Sequence, residues 1–370
     1  MTAIDDFFSI IPAGGVGSRL WPLSRADAPK FLHDLTGSGK TLLRATFDRL
    51  GPLAGPGRTM VVTGRSHRAA VEAQIPELDD ASIVLEADPR DSTVAIALAA
   101  AILRRREPDV IVGSFAADHV IDDERSFRRA VGEAVAAARA GYIATIGITP
   151  TEPAIGFGYI RAGEPAGVDG APSAALVREF VEKPSAKVAR KYVDGGDYLW
   201  NAGMFIARAD VLLEELAREE PELAAQIEEL AEVWDEPAQR GPAVDRLWPQ
   251  LKKIAIDYAV AEPAAARGRM VVVPGDFDWD DVGDFSAVAK LHNGAHRGRL
   301  AILGAEGTVI ADSASGIVVS QSNRIVSVVG IQNVVVVDTP DALLVTTTDN
   351  AQRVKQVVDA VRRSGNTDAL

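Results

Sequence analysis

Short apolar runs alternate with helix-forming stretches through the first 150 or so positions of the chain, and this alternation restricts the fold more than any other feature. Phe7–Pro12 is the first run, and similar ones recur at Thr59–Thr63, Ile83–Leu85, Val110–Phe115 and Ile143–Ile148. Between them lie Leu42–Leu50, Ser66–Gln74, the Ala-rich Val94–Arg106 and the amphipathic Ser126–Ala140. Strands buried on both faces read as continuous apolar runs, and parallel neighbours need a crossover that is usually a helix. The pattern therefore predicts βαβ units in an α/β fold with a mostly parallel sheet. Ligands of such sheets gather beyond the carboxyl ends of the strands.

The texture then changes twice. From about Tyr159 to Pro184 glycine and proline are frequent and the runs are short, which predicts a β-rich lid or insertion; Val211–Val233 reads as acidic, apolar-periodic and helical. After about Arg299 come the short β-branched runs Thr308–Ala311, Ile317–Ser320, Ile325–Val329, Val334–Val337 and Leu343–Thr346, with turn signals between them. That spacing suggests a small β-solenoid or β-sandwich, closed by a helix over about Ala351–Arg363. The organisation expected is residues 1–297 as the larger part and 298–370 as a module that stabilises or oligomerises.

The totals exclude several classes. The formal net charge of −13 argues against non-specific nucleic-acid binding, which needs a basic surface. The chain has no cysteine, so disulfides, thiolate metal sites and a cysteine nucleophile are ruled out. Its start, Met1-Thr2-Ala3-Ile4-Asp5-Asp6, lacks the pattern of a signal peptide, and no apolar segment reaches the roughly 18 residues of a membrane span. The expectation is a cytoplasmic protein with neither a membrane nor a nucleic-acid partner.

The strongest local signal is Pro12-Ala13-Gly14-Gly15-Val16-Gly17-Ser18-Arg19-Leu20-Trp21-Pro22-Leu23-Ser24-Arg25, followed by Pro29-Lys30. Glycines directly after a strand permit positive φ and let main-chain N–H groups face an anion. The forked donors of Arg19 can grip phosphate oxygens, and Lys30 adds a compact point charge. A dinucleotide loop of the G-x-G-x-x-G kind fails, because Leu20 stands where the third glycine belongs. Gly37-Ser38-Gly39-Lys40-Thr41 imitates the end of a Walker A loop, but Asp34 occupies the position of its first glycine, so a turn and helix start are expected there.

Two acidic groups sit where a sheet of this kind places its ligands. Asp118, in Ala117-Asp118-His119, follows the run Val110–Phe115. Asp278, Asp280 and Asp281 lie within Phe277-Asp278-Trp279-Asp280-Asp281-Val282-Gly283. Mg²⁺ is held by one or two carboxylates together with phosphates and waters. Asp118 plus one aspartate of the second group would suffice, and the residues alone do not choose among the three. His33, His67, His119, His292 and His296 form no H-E-x-x-H pattern, and His119 is expected to position rather than to act as a base.

The Gly14–Arg25 segment with Pro29-Lys30 resembles the signature of the nucleotide-sugar pyrophosphorylases, and its Arg-Leu-Trp-Pro-Leu-Ser-Arg continuation is similar to the mannose-1-phosphate guanylyltransferase branch. Further motifs follow in the family's order over roughly residues 7–285. The resemblance implies a Rossmann-like, glycosyltransferase-A-like nucleotidyltransferase fold. It implies the substrates GTP and mannose 1-phosphate, the products GDP-mannose and diphosphate, and Mg²⁺ as the ion, and it leaves a homodimer open. It implies nucleotide contacts from Ala13, Gly14, Gly15, Gly17, Ser18, Arg19, Lys30, Asp118, and Arg90 and Ser92 of the Glu86–Thr93 segment. That segment departs from the family's Arg-Asn-Thr-Ala-Pro, with Asp91 and Ser92 for Asn and Thr and Val94 for Pro. The resemblance selects Asp281 as the second metal ligand. It marks Gly158, Glu182, Lys183 and Asn201, in Gly-Phe-Gly-Tyr, Glu-Lys-Pro and Asn-Ala-Gly, as sugar-phosphate residues, with Arg19, Lys30 and Lys183 as the catalytic cations. Asp257-Tyr258 resembles a further family segment. The alternatives carried forward are another sugar or base, and a non-catalytic nucleotide-sugar-binding regulatory subunit.

Overall fold

The computed structural model describes residues 3–293, 299–304, 306–366 and 370. Strand β1 (Phe7–Ala13) pairs in parallel with β2 (Thr59–Gly64), which pairs with β3 (Ile83–Glu86), and on its other side with β4 (Ile111–Ser114). The two-residue β5 (Val120–Ile121) leaves this sheet, which resumes with β6 (Ile143–Ile148), β7 (Tyr159–Pro165), β8 (Ala175–Val181), β9 (Tyr198–Arg208) and β10 (Met270–Gly275). The nine strands lie in the order β3-β2-β1-β4-β9-β6-β10-β8-β7. β11 (Trp279–Asp280) then returns to pair antiparallel with β5.

The expected parallel sheet is present with one qualification: β9 is inserted antiparallel between β4 and β6, and β8 also runs against its neighbours. The segment expected to be a β-rich lid or insertion is β-rich and forms the edge of the main sheet rather than a lid, with β7 paired to both β8 and β9. Its short runs reflect register shifts in the β7–β8 ladder, which interrupt the alternation that a regular strand shows.

The helices are α1 (Leu42–Ala54), α2 (Arg68–Gln74), α3 (Asp91–Arg106), α4 (Glu124–Arg139), α5 (Ala186–Gly195), α6 (Ala209–Glu219), α7 (Pro221–Glu232), α8 (Pro237–Leu247), α9 (Glu262–Ala266), α10 (Phe285–Asn293) and α11 (Val354–Ser364). Successive strand residues feed opposite layers: Met270 and Val272 join one core with α3, α6 and α7, while Val271 and Val273 join the other with α1 and α4. Every residue of α3 from Thr93 to Leu103 is buried, as expected of a helix that is apolar all round and covered on both sides. The helical stretch expected over Val211–Val233 is helical and is divided in two. Pro221 lacks an N–H and disfavours helical backbone at Glu220, so it ends α6 and opens α7 at a position where proline is tolerated.

Beyond α10 the chain forms β12 (Leu300–Gly304), β13 (Val309–Asp312), β14 (Gly316–Ser320), β15 (Val326–Val329), β16 (Val334–Asp338) and β17 (Leu343–Thr347). β12, β14 and β16 pair in parallel, β17 joins them antiparallel, and β13 pairs in parallel with β15. The final helix begins later than expected, because Thr348–Arg353 is a 3-10 helix. The boundary placed at 297/298, like His296, lies outside the described residues. The β-rich module has a small cluster of its own around Val318, Val328 and Val336, and a second one joins it to the larger part, where Leu20, Trp21 and Leu23 pack with Phe285, Val335, Val337 and Val354.

Candidate functional site

β1 ends at Ala13, and the chain turns through Gly14–Gly17 into a 3-10 helix, Ser18–Leu20. Gly17 has φ of 72°, and a Cβ there would stand 2.9 Å from Cβ of Lys30. Only glycine meets both demands, so the turn and the second cation are built against each other. Lys30 opens a 3-10 helix, Lys30–Leu32, behind Pro29. Its ammonium lies 2.6 Å from Oδ2 of Asp118 and donates at 2.9 Å to the main-chain carbonyl of Asp281. Asp118 follows the carboxyl end of β4, and Asp281 follows β11, which β5 holds in place. Arg19 approaches from the turn: a Cβ on Gly283 would lie 3.5 Å from Arg19 Nη2 and 3.4 Å from Asp281 Oδ1.

The charges are strongly coupled. Burial raises the pKa of Asp118, but the Lys30 ammonium beside it outweighs that and holds the carboxyl below its ordinary value. Asp281 goes the other way: burial pushes it up, Lys30 opposes, and the charges of Asp118 and Asp280 add to the rise. Asp281 thus shares a field with Asp118, Lys30 and Arg19. Asp280 uses Oδ1 to accept the N–H of Val282 at 2.8 Å. Val282 is buried with φ of 46°, a left-handed conformation that costs a β-branched residue about 1–3 kcal/mol. Among the described residues no group of three or more His, Asp or Glu side chains could hold a metal ion. His119 is buried with its ring edge-on to Trp279, centroids 5.2 Å apart, and burial lowers its pKa to about 4. It is neutral at physiological pH, which suits a positioning role.

The expected sugar-phosphate residues also converge. A Cβ on Gly158 would come within 2.5 Å of Glu182 Oε2, so glycine lets that carboxylate approach the main chain closely. Lys183 pairs with Glu182 at 2.8 Å, half exposed, with φ of 46°. Burial would lower the pKa of Lys183, but Glu182 raises it overall. The amide of Asn201 is fixed on three sides: Oδ1 accepts from Thr145 at 2.8 Å and from Gly203 N at 3.2 Å, and Nδ2 donates to Asp257 at 3.0 Å. Burial, then the charge of Glu182, pushes Asp257 up to about 7.

The Glu86–Thr93 segment runs from the end of β3 into α3. Arg90 donates to Leu251 O at 3.4 Å, and Ser92 Oγ accepts Ile256 N–H at 2.9 Å, so both side chains tie α3 to the 251–256 segment rather than meeting the glycine turn. The residue of this stretch that does reach the turn is Glu86. A Cβ on Gly14 would stand 3.2 Å from its Oε2, while Oε1 is buried with no hydrogen-bond partner. Burial raises its pKa to about 7, an N–H from Arg90 opposes, and the charge of Asp91 adds. Sequence reading passed over Glu86; the available signal was a carboxylate closing an apolar strand. The Gly37–Gly39 turn explains the Walker-like decoy. Its N–H groups do bind an anion, the side chain of Asp34, with Gly37 N at 2.8 Å from Oδ1 and Gly39 N at 2.6 Å from Oδ2.

The family model described as nucleotidyl transferase matches residues 8–298, and one described as MannoseP isomerase/GMP-like beta-helix domain matches residues 296–361. The xanthan biosynthesis protein XanB of Xanthomonas campestris pv. campestris is 37% identical, over 99% of this chain and 75% of its own. The mannose-1-phosphate guanylyltransferase of Escherichia coli is 36% identical, over 97% of this chain and 74% of its own. A crystal structure from Thermus thermophilus, described as a mannose-1-phosphate geranyltransferase, is 32% identical and superposes with a TM-score of 0.82 over 96% of this chain and 99% of its own. With its glycine turn, its paired cations and its facing carboxylates, the chain belongs to the nucleotidyl transferase family.

Proposed function

We propose that the protein is a mannose-1-phosphate guanylyltransferase, converting GTP and α-D-mannose 1-phosphate into GDP-mannose and diphosphate. The observation that carries this reading is the meeting of Arg19 and Lys30 with Asp118 and Asp281 around the Gly14–Gly17 turn. A non-catalytic sensor has no need of two cations held against two carboxylates. The relatives' names support the choice of mannose 1-phosphate, and Glu86 supports that of guanine. A carboxylate accepts the adjacent N1–H and N2–H donors on guanine's edge, a pair that no other common base presents.

In the reaction, an oxygen of the sugar phosphate attacks the α-phosphorus of GTP in line, the bond to the β-phosphate oxygen breaks, and diphosphate leaves. Two anions must meet, so neutralisation and positioning supply most of the acceleration. The N–H groups of the glycine turn and Arg19 receive the phosphate tail. Lys30 stabilises charge on the departing diphosphate. Lys183 steers the attacking phosphate, and Glu182 and Asn201 orient the sugar hydroxyls. Asp118 and Asp281 would hold Mg²⁺, and a two-carboxylate donor set suits an ion that completes its shell with phosphates and water. When bound, that ion supplies positive charge at the nucleotide phosphates.

We assign residues 1–297 to catalysis and read 298–370 as a short β-helix, supported by the parallel β12–β14–β16 and β13–β15 ladders. The reading carries with it a cytoplasmic setting and leaves a homodimer open. The function is tested by measuring diphosphate release from GTP, ATP, UTP and dTTP, each with mannose 1-phosphate and glucose 1-phosphate. GTP with mannose 1-phosphate is expected to lead the panel. Turnover of another pair with none of this one would overturn it.

A further inference from the structure

Arg19 is held by the C-terminal module. Its Nη1 donates at 2.9 Å to Oε1 of Gln352, which lies on the 3-10 helix Thr348–Arg353. The orientation of the Gln352 amide is fixed from its other end, where Nε2 donates to Oδ2 of Asp284. Asp284 is in turn immobilised, being buried and using Oδ1 to cap α10 through Ser286 N at 2.7 Å and Ala287 N at 3.2 Å. A helix cap thus orders a carboxylate, the carboxylate orders an amide, and the amide orders the guanidinium that stands beside Asp281. The cluster of Leu20, Trp21 and Leu23 with Val335, Val337 and Val354 supports the same contact from beneath, and Arg25 grips Asp341 through both carboxylate oxygens at 2.6 Å.

We infer that Gln352 is a positioning residue for the phosphate-binding cation Arg19, so that the C-terminal module completes the transfer site. The inference rests on the proposed nucleotidyl transfer. The chemistry of the partner supports it. A free arginine samples many rotamers, and a guanidinium ordered in advance loses less freedom when phosphate arrives. A glutamate or aspartate in place of Gln352 would order Arg19 equally well but would cancel its charge and compete with phosphate. The neutral amide carbonyl fixes the direction and leaves the charge available. Asp284 excludes the flipped amide, since the NH₂ must face the carboxylate and the carbonyl must face Arg19.

The test uses the full chain and both directions of the reaction. Gln352 is exposed, so Gln352→Ala should leave circular dichroism unchanged and lower the thermal midpoint by no more than the lost hydrogen bond to Asp284 requires. It is expected to lower kcat at least 5-fold and to raise KM for diphosphate in the reverse direction by a similar factor. KM for the sugar phosphate, which binds at the other side of the site, should stay within 2-fold. Gln352→Glu should raise KM for diphosphate further than Gln352→Ala does, because it adds an anion. In an Arg19→Ala background, Gln352→Ala should have no additional effect. An unaltered diphosphate KM in Gln352→Ala, an equal rise for both substrates, or additive losses in the double variant would each overturn the inference while leaving the proposed function intact. A wild type that turns over no nucleotide and sugar-phosphate pair would instead overturn the function, and this inference with it.

Discussion

Lys30 and Asp118 face each other across 2.6 Å, and the same ammonium reaches the main-chain carbonyl of Asp281 at 2.9 Å. One side chain therefore ties three separate segments, those following β1, β4 and β11. Lys30→Met should lower kcat by on the order of 10²–10³. It should also destabilise the fold by about 1–3 kcal/mol at pH 7, because Asp118 and Asp281 then lose the cation that lies between them. The pH dependence has a definite sign. Asp118 is held below its ordinary pKa, so this stabilisation is present above the unfolded value and is lost as pH falls through the folded one. Urea unfolding of both proteins at pH 7 and pH 3 should show the difference closing at the acid end.

Arg19→Ala should lower turnover by about two orders of magnitude or more while leaving the fold intact, since removal of a charge that acts in the transition state costs several kcal/mol. Steady-state kinetics beside a thermal melt check this. Near-normal turnover would count heavily against the assigned reaction.

Glu86 is predicted to make the protein less stable as pH rises. Its folded pKa of about 7 lies above that of an unfolded glutamate, so its stabilising effect is complete at low pH and is lost as pH rises through about 7. Glu86→Gln should remove that part of the slope and raise stability near pH 8 by on the order of 1–3 kcal/mol. Asp257, also raised to about 7, should leave a residual slope of the same sign. The same variant should lose the preference for GTP over ITP, which lacks the N2 donors. Melting curves from pH 5 to 8 and a GTP/ITP rate ratio measure the two effects separately.

Lys183→Met should affect both stability and binding. The lysine side chain is 55% exposed, but that of its partner Glu182 is only 6% exposed, so loss of the ammonium leaves a buried carboxylate without that cation and should cost about 1–3 kcal/mol. KM for the sugar phosphate should rise about 10-fold or more, while KM for the nucleotide stays near its original value.

Val337→Ala tests the cluster beneath the glycine turn. The residue is fully buried beside Leu20 and Trp21, and its truncation should cost about 1–3 kcal/mol in urea unfolding. An effect below about 0.5 kcal/mol would mean that the module rests loosely on the larger part.

What was legible in the sequence was local. The β1–glycine turn–Arg19–Lys30 stretch is continuous, and Asp118 directly follows an apolar run, so strand ends alone placed them together. The insertion of β9 between β4 and β6 left no such trace, because strand direction is decided by pairing between distant segments. The same holds for Arg90 and Ser92, whose partners Leu251 and Ile256 are far along the chain. Glu86 was missed for a different reason: an unpartnered oxygen is a property of its surroundings, not of its neighbours in sequence. The Gly37–Gly39 turn shows the converse hazard, since a nest of N–H groups is equally well filled by an internal carboxylate.

The common cluster of Leu20, Trp21 and Leu23 with Val335, Val337 and Val354 sets a limit on rebuilding the molecule. Chimeras that transplant the tail between homologues will inherit mismatched knobs and hollows unless residues 20–23 travel with it. Those positions adjoin Arg19, so exchanging the tail also means re-engineering the signature turn. Drift in either part is thereby coupled to compensating change in the other.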